Sequence, residues 1–266
     1  MSAEPAALPG LRAARTLYAA LYGGFAPHPR PDAHGELSQD AYSLFYARSA
    51  AMGWLTPARE GELGGLWGMN DAAAGEGPLA AFFQVTLTEP AEGRLLPVQP
   101  FLACAGDVMA RLGTLRLDAV KVLLPEHDAD ADARFASPSS LRTARALLDT
   151  LNWFGDCDPR QRVAARITLD GLADPSIGAA APALWHWVRE INQEVFDCES
   201  WSEDDHLVLP PATAFEVEAG HHRVTFRGTL AGWSLDALGW LAAFLADLSA
   251  RHGVHTPLIL TADRLT

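Results

Sequence analysis

Four arginines lie at the polar positions of two predicted strands. Arg162 and Arg166 alternate with apolar residues in the first strand, and Arg223 and Arg227 alternate with apolar residues in the second. Because successive side chains leave a strand on opposite sides, all four point to solvent if the two strands share a sheet. Guanidinium groups bind carboxylates and phosphates through paired hydrogen bonds. The pattern favours a surface for an acidic peptide, an anionic small molecule or an acidic loop of this chain. The alternative is a solvated sheet face with cross-strand Thr and Arg pairs.

A second group of candidate residues combines carboxylates with imidazoles. Asp204 and Asp205 directly precede His206, and His222 follows His221 at a predicted hairpin tip. Carboxylates beside an imidazole can exchange a proton or bind a divalent metal. Adjacent histidines on a strand point to opposite faces and do not easily bind one ion together, so no metal site is predicted. The hypothesis is acid–base chemistry by Asp204, Asp205, His206 and His222, and the alternative is a solvated connecting loop.

Trp201 precedes this acidic group in a stretch that is interpreted as a loop. An indole near a loop can line an apolar ligand cleft or a protein interface. It can equally fill a small core beneath the loop. Trp201 is therefore included with the four arginines as a candidate for ligand or partner binding.

Sequence motifs of common enzyme and cofactor sites are absent. The chain contains no phosphate-binding P-loop, dinucleotide-binding glycine motif, paired C-x-x-C, H-E-x-x-H or G-x-S-x-G. Asp128, Asp130 and Asp132 alternate as in a calcium loop, but Ala133 and Ser139 replace the glycine and glutamate which that loop requires. We therefore expect no cofactor and no bound metal.

The composition limits the class of partner. The 266-residue chain has a formal net charge of −13, which disfavours binding to nucleic acid and to anionic membranes. No uncharged apolar run approaches the roughly 18 residues of a membrane-spanning helix, and no basic leader opens the sequence. Three scattered cysteines do not form a disulfide framework and fit a reducing compartment. The strong preference for arginine over lysine suggests a bacterial source, and a cytoplasmic location is expected.

Alternating hydrophobicity predicts strands over residues 79–88, 162–170 and 222–230. Strands with one polar face are typical of antiparallel sheets, because helices cover both faces of parallel ones. Amphipathic helices are predicted between them, notably over 100–112, 181–196 and from Ser234 onwards. The predicted class is α+β, with mixed or antiparallel sheets and amphipathic helices packed on one face.

The domain prediction divides the chain at a change of pattern near residue 78. Residues 1–78 are interpreted as a helical N-terminal segment packed on the core, with helices over 11–21 and from Ser38 and a glycine-rich loop over 64–78. Residues 79–266 form an α/β core. Strand–helix–strand units near 79–124 and 222–261 suggest two related β-α-β halves, 79–171 and 172–266. One compact domain is the alternative.

Two classes of function follow. The first is a non-catalytic binding or accessory protein that recognises a protein partner, a second copy of itself or an anionic small molecule through the arginine and threonine sheet face. The alternative is an enzyme that acts on a small polar or anionic metabolite through the His/Asp cluster, with arginines orienting the substrate. Whether the chain is an enzyme is left open by the residues.

Overall fold

An eight-stranded antiparallel sheet organises the part of the chain that the computed structural model describes. The described residues are 15–29, 40–55, 65–75, 77–88, 95–127, 157–158, 160–190, 195–203 and 221–265. The strands are β1 (Thr16–Pro27), β2 (Trp67–Ala74), β3 (Leu79–Leu87), β4 (Gly113–Leu124), β5 (Val163–Asp170), β6 (Phe196–Ser202), β7 (Arg223–Leu230) and β8 (Leu258–Arg264). The helices are α1 (Ala41–Ala51), α2 (Val98–Leu112), α3 (Ser176–Glu190) and α4 (Leu235–Arg251).

The strands lie in the order β2-β3-β1-β4-β8-β5-β7-β6, and every neighbouring pair is antiparallel. The predicted α+β class with antiparallel sheet is thereby confirmed. The strands predicted over 79–88, 162–170 and 222–230 are found as β3, β5 and β7, each one residue shorter at one end. Alternating hydrophobicity located them because each has one side in the core and polar residues on the other.

Helix starts follow from side-chain capping. The carboxylate of Asp40 accepts a hydrogen bond from the Ser43 backbone N–H at 2.7 Å, so α1 is capped by Asp40 and not by Ser38. The Ser234 hydroxyl accepts one from the Ala237 backbone N–H at 3.2 Å and caps α4, as its sequence predicts. Each cap satisfies a backbone donor that the helix itself leaves without a partner.

The main apolar core contains residues of all four helices and of one side of the sheet. Phe45 of α1 lies at its centre in the first half, with ring centroids 5.1 Å from Phe83 and 5.7 Å from Phe101. In the second half, Phe226 and Trp240 are fully buried. Aromatic rings at these separations contribute packing energy beyond the area they bury.

The opposite side of the sheet carries a second, smaller apolar cluster. Its buried residues are Tyr18, Ala20, Tyr22, Ala119, Leu123 and Ile259. They come from β1, β4 and β8, and no described helix contributes to the cluster. This side changes character along the sheet, from mainly apolar on β3, β1 and β4 to polar on β5, β7 and part of β8.

The N-terminal prediction is wrong in two described places. The helix predicted over 11–21 is strand β1 from Thr16 onwards, and the loop predicted over 64–78 contains strand β2. β1 pairs with both β3 and β4 and is buried on both faces, so its sequence reads as a continuous apolar run. Leu17 and Leu21 also have helical spacing, which is why a short apolar run does not distinguish the two structures. The domain boundary at residue 78 stays a prediction.

The second half contains a further correction. The helix predicted over 181–196 begins earlier, at Ser176, and residues 196–202 form the strand β6. Phe196 and Cys198 are buried while Asp197 and Glu199 are exposed, so the alternation is present but short. The apolar residues that precede β6 match a helical period, so the pattern does not show where the helix ends and the strand begins.

Asp247 of α4 contacts both Arg251 of the same helix and His127, which follows β4. Asp247 accepts a 2.7 Å hydrogen bond from Arg251 Nε, and its other oxygen lies 3.5 Å from His127 Nε2. Burial on its own would raise the pKa of Asp247, but the interactions with His127 and Arg251 outweigh it and lower the pKa below its ordinary 3.8.

We predict that Asp247→Asn lowers the free energy of unfolding at pH 7 by about 1–3 kcal/mol. A carboxylate whose folded pKa is depressed stabilises the fold above its unfolded pKa and loses that effect as the pH falls through the folded value. The difference between wild type and variant should therefore shrink below about pH 3.8. Urea unfolding at several pH values measures it, with Asp118→Asn as an exposed control. A difference that stays constant down to pH 2 would contradict the assignment.

Candidate binding site on the polar side of the sheet

The strand register brings three of the four predicted arginines onto one side of the sheet. Arg166 of β5 lies directly opposite Arg227 of β7, and Asp170 lies opposite Arg223. We call this surface the polar face and define it by its residues. They are Arg166, Thr168 and Asp170 on β5, Arg223, Thr225, Arg227 and Thr229 on β7, Thr261 and Asp263 on β8, and Ser200 and Ser202 on β6.

Arg162, the fourth arginine, lies just before β5 and reaches the same surface. Its Nε donates to the Thr229 hydroxyl at 2.8 Å, and its Nη2 donates to the Thr229 carbonyl oxygen at 2.8 Å. These two bonds hold the guanidinium plane against β7. All four arginines thus lie on or beside the polar face, and their role as a binding site stays a proposal.

Asp263 binds Arg166 through both of its oxygens. Arg166 Nε lies 3.0 Å from Oδ2 and Nη2 lies 2.8 Å from Oδ1, which is the bidentate fork of a strong arginine–carboxylate pair. The Arg166 side chain is 30% exposed and the Asp263 side chain 14% exposed. Solvent screens this pair only in part, so it contributes more than an ordinary surface ion pair.

Arg227 is exposed and faces Arg166 across the strand pair. Like charges placed directly opposite each other on neighbouring strands destabilise a sheet. Arg166 and Arg227 occupy directly opposed positions at this end of the polar face, and Asp263 forms a bidentate pair with Arg166.

Asp170 organises the other end of the polar face. Its Oδ2 accepts hydrogen bonds from Arg223 Nε and from His221 Nδ1, both at 2.7 Å. Its Oδ1 accepts one from the Leu172 backbone N–H at 2.8 Å. Asp170 is buried, whereas the His221 side chain is 28% exposed. A carboxylate bound to Nδ1 fixes the orientation and tautomer of the ring and leaves Nε2 for acid–base chemistry.

The turn after β5 holds His221 in place. Leu172 has a positive φ of 56°, which is unfavourable for a residue with a side chain. Its carbonyl oxygen accepts the His222 backbone N–H at 3.0 Å, and the Gly171 N–H donates to the His222 carbonyl at 2.8 Å. With the Asp170 contact, these bonds offset the strain and tie the turn to the start of β7.

Part of the polar face is not hydrated. The hydroxyls of Thr168 and Thr225 lie 2.9 Å apart, and these residues are only 2% and 3% exposed. The prediction of a continuous solvated side is therefore wrong at this row. Alternation reports that two sides of a strand differ in polarity, but it does not report what covers the polar side. In the neighbouring row across the strands, the side chain of Arg166 is partly exposed to solvent, and Arg227 and Ser200 are exposed.

The remaining candidates are distributed differently. Asp204, Asp205 and His206 lie outside the described residues. His222 is exposed and contacts the turn through its backbone. Trp201 is half-buried on β6 and packs against the main core, as its alternative interpretation as a core side chain predicts. In the part of the chain that the structure describes, no group of three or more His, Cys, Asp or Glu residues could hold a metal ion.

The cysteine thiols of the core are poor nucleophiles. Burial raises the pKa of both Cys104 and Cys198 to about 11, so each stays protonated near neutral pH. Cys104 lies within α2 against Phe45, and Cys198 lies on the core side of β6. Neither contributes to the polar face.

Asp170, Asp263 and His221 were missed as site residues. Asp170 occupies the last polar position of the predicted strand 162–170, which is a signal that the sequence does contain. Asp263 lies beyond residue 261, where the last predicted strand–helix–strand unit ends, and the structure extends β8 to Arg264. Continuing the alternation through Thr261 and Asp263 would have placed this carboxylate on the polar side.

Comparison with known proteins adds no identification. No protein-family model matches the sequence, and no curated protein or solved structure shows significant similarity to it. Among the described residues, no helix has the length and hydropathy needed to cross a membrane. Any functional argument therefore depends on the geometry of this chain.

We predict that Asp170→Asn lowers the free energy of unfolding by about 2–4 kcal/mol, because it leaves Arg223 and His221 without their shared carboxylate. Chemical denaturation measures the loss, and Asp197→Asn on the exposed side of β6 is the matched control. A double-mutant cycle with His221→Asn should show a coupling of about 1 kcal/mol or more. A loss no larger than that of the control would contradict a structural role for Asp170.

Proposed function

We propose that the chain is a non-catalytic binding protein whose polar face recognises an acidic segment of a partner protein. The observation that carries this proposal is the direct opposition of Arg166 and Arg227 on a chain with a formal net charge of −13. Positively charged side chains gathered at one place on an acidic protein suit an anionic partner.

The geometry of the two guanidinium groups supports a carboxylate as the recognised group. Arg166 already presents a bidentate fork to Asp263, so a carboxylate fits this spacing of donors. A second carboxylate could accept hydrogen bonds from Arg227 and from the outer nitrogen of Arg166. The surrounding negative charge would repel long polyanions such as nucleic acid and leave short acidic segments as the favoured class.

The shape of the site favours a peptide over a small molecule. Arg227 and Ser200 lie on β7 and on the edge strand β6, on a pleated surface. Small-molecule sites are usually concave and enclose most of the ligand, whereas extended peptides bind to sheet surfaces and edges. A second copy of this chain and a small anionic metabolite are the other occupants that the test must distinguish.

We predict that pentaglutamate binds the wild type in a salt-dependent, saturable manner and that Arg227→Gln weakens binding at least tenfold. Tenfold corresponds to about 1.4 kcal/mol, the scale of one charge-assisted contact. Two-dimensional NMR titration measures both affinity and location, with shifts expected on β5, β6 and β7.

Arg116→Gln supplies the control, because Arg116 is an exposed arginine on β4 with its own partner, Asp118. Equal affinities of the two variants, or no saturable binding to the wild type, would reject the proposal. Parallel titrations with citrate distinguish a small-molecule site, and light scattering detects self-association.

A second candidate function is favoured by the contact between Asp170 and His221. A buried carboxylate that orients an exposed imidazole through Nδ1 is an arrangement suited to proton transfer. The enzyme alternative, action on a small polar or anionic metabolite, is therefore centred on His221 and not on His222. Arg223 contacts the same carboxylate and could orient the substrate.

We predict that, if the chain is an enzyme, His221→Gln reduces kcat at least 100-fold while the exposed control His186→Gln leaves it unchanged. A panel of ester, amide and phosphate substrates provides the measurement. Activity that survives in His221→Gln would exclude this site, and a panel without turnover in the wild type would favour the binding function.

The finer features of the predicted fold and location belong to the proposal as well. We infer that the described helices cover one side of the sheet, because each contributes buried residues to the main core and none contributes to the small apolar cluster. We also infer that the units near 79–124 and 222–261 are related, because both occur as a strand, a helix and a second strand, with one antiparallel strand between the two. The cytoplasmic location and the bacterial source stay predictions.

A further inference from the structure

We infer that the chain consists of two equivalent units related by a two-fold axis through the Lys121–Thr261 pair, and that the charges of the polar face are a recognition feature of the second unit alone. The second clause rests on the proposed binding function. The first rests on topology and register, so the two can fail separately.

The order of elements is the same in both units. Among the described residues, the first contains β1, α1, β2, β3, α2 and β4, and the second contains β5, α3, β6, β7, α4 and β8. The sheet order is β2-β3-β1-β4 in the first unit and β6-β7-β5-β8 in the second, read from opposite edges. Each is the split β-α-β arrangement of a β-α-β-β-α-β unit. β4 and β8 pair antiparallel in the middle, as a two-fold axis requires.

A matching irregularity fixes the alignment of the units. The edge strand β2 has a bulge between Met69 and Asp71 against β3. The edge strand β6 has a bulge between Cys198 and Ser200 against β7. Placing the two extra residues, Asn70 and Glu199, at the same position makes the pair Trp67–Leu87 equivalent to the pair Phe196–Leu230.

This alignment extends through the remaining strands by their registers. Val85 pairs with Leu17, and its equivalent Gly228 pairs with Ala165, so Leu17 corresponds to Ala165. Ala20 pairs with Lys121, and its equivalent Thr168 pairs with Thr261. Lys121 and Thr261 are therefore equivalent residues.

The β4–β8 register places these two equivalent residues directly opposite each other. That is where a two-fold axis must pass, because only there does a residue face its own counterpart. Core positions also correspond to core positions, as in Phe83 with Phe226 and Leu21 with Leu169. The strand ends agree too, since β4 ends at Leu124 and β8 ends at its equivalent, Arg264.

The two units differ on the side of the sheet that faces away from the main core. The ion pair Arg166–Asp263 in the second unit occupies the position of the pair Tyr18–Leu123 in the first. Tyr18 and Leu123 are buried in the small apolar cluster. Arg227 corresponds in the same alignment to Gln84, a neutral residue.

The first unit is thus an internal reference for what the fold requires. It forms the same four strands with neutral residues at the positions of Arg166, Asp263 and Arg227. Charge at these positions is therefore not needed for strand pairing or for the register. This assigns the three residues as specificity-determining residues of the polar face.

The test replaces the three residues by their first-unit counterparts, as Arg166→Tyr, Asp263→Leu and Arg227→Gln in one protein. We expect a melting temperature within about 5 °C of the wild type, since exchanging both members of a partly buried ion pair for packed apolar residues is often neutral. Arg166→Tyr alone should lower the melting temperature further, because it leaves Asp263 without its partner. Pentaglutamate binding should be lost in the triple variant.

Each outcome tests either the equivalence of the two units or the recognition role of the three residues. A triple variant that is less stable than Arg166→Tyr alone would overturn the equivalence of the two units. A stable triple variant that still binds pentaglutamate would overturn the recognition role of the three residues. If the wild type itself binds no pentaglutamate, the proposed function fails, while the comparison of melting temperatures still tests the equivalence.

Discussion

The pairing of β4 with β8 is the interaction on which the arrangement of the molecule depends. It joins β1–β4 to β5–β8 in one hydrogen-bonded sheet, from Ala119 opposite Asp263 to Leu124 opposite Leu258. Side chains leave a sheet alternately, so this register decides which residues of the two sets share a side. A shift of one residue would turn the Lys121 row towards the main core. The polar face and the apolar cluster are consequences of that single alignment.

The sequence predicts strands whose two sides differ in polarity. It predicts poorly those strands whose two sides have similar polarity. β5 and β7 have arginines and threonines on one side, so their alternation was read correctly. β1 is apolar on both sides because one side lies in the main core and the other in the small apolar cluster, and β2 is rich in small residues at the sheet edge. Local periodicity records the contrast between the two sides of a strand, whereas its place in the sheet depends on distant residues.

The candidate site shows the same limit at the level of single side chains. The alternation of polar and apolar residues alone placed the arginines on the polar sides of their strands, because it needs only the strand assignment. The carboxylates that bind them, Asp170 and Asp263, required knowledge of which strands are neighbours. Arg166 and Asp263 are 97 residues apart in the chain and meet only through the β5–β8 register. His221 was likewise placed by the turn after β5, whose Leu172 conformation no periodic pattern signals.

The energetics of the polar face show that its ion pair is not required to stabilise the sheet, which agrees with the proposed role in recognition. An ion pair in a partly buried position gains Coulomb energy but loses hydration, and apolar residues of similar volume often stabilise as well. The first four strands use that apolar solution at Tyr18 and Leu123. On β5, β7 and β8 the chain instead retains Arg166, Asp263 and a second arginine whose like charge opposes the first. We propose that a carboxylate of an acidic partner protein complements these charges, in line with the charge complementarity of protein interfaces.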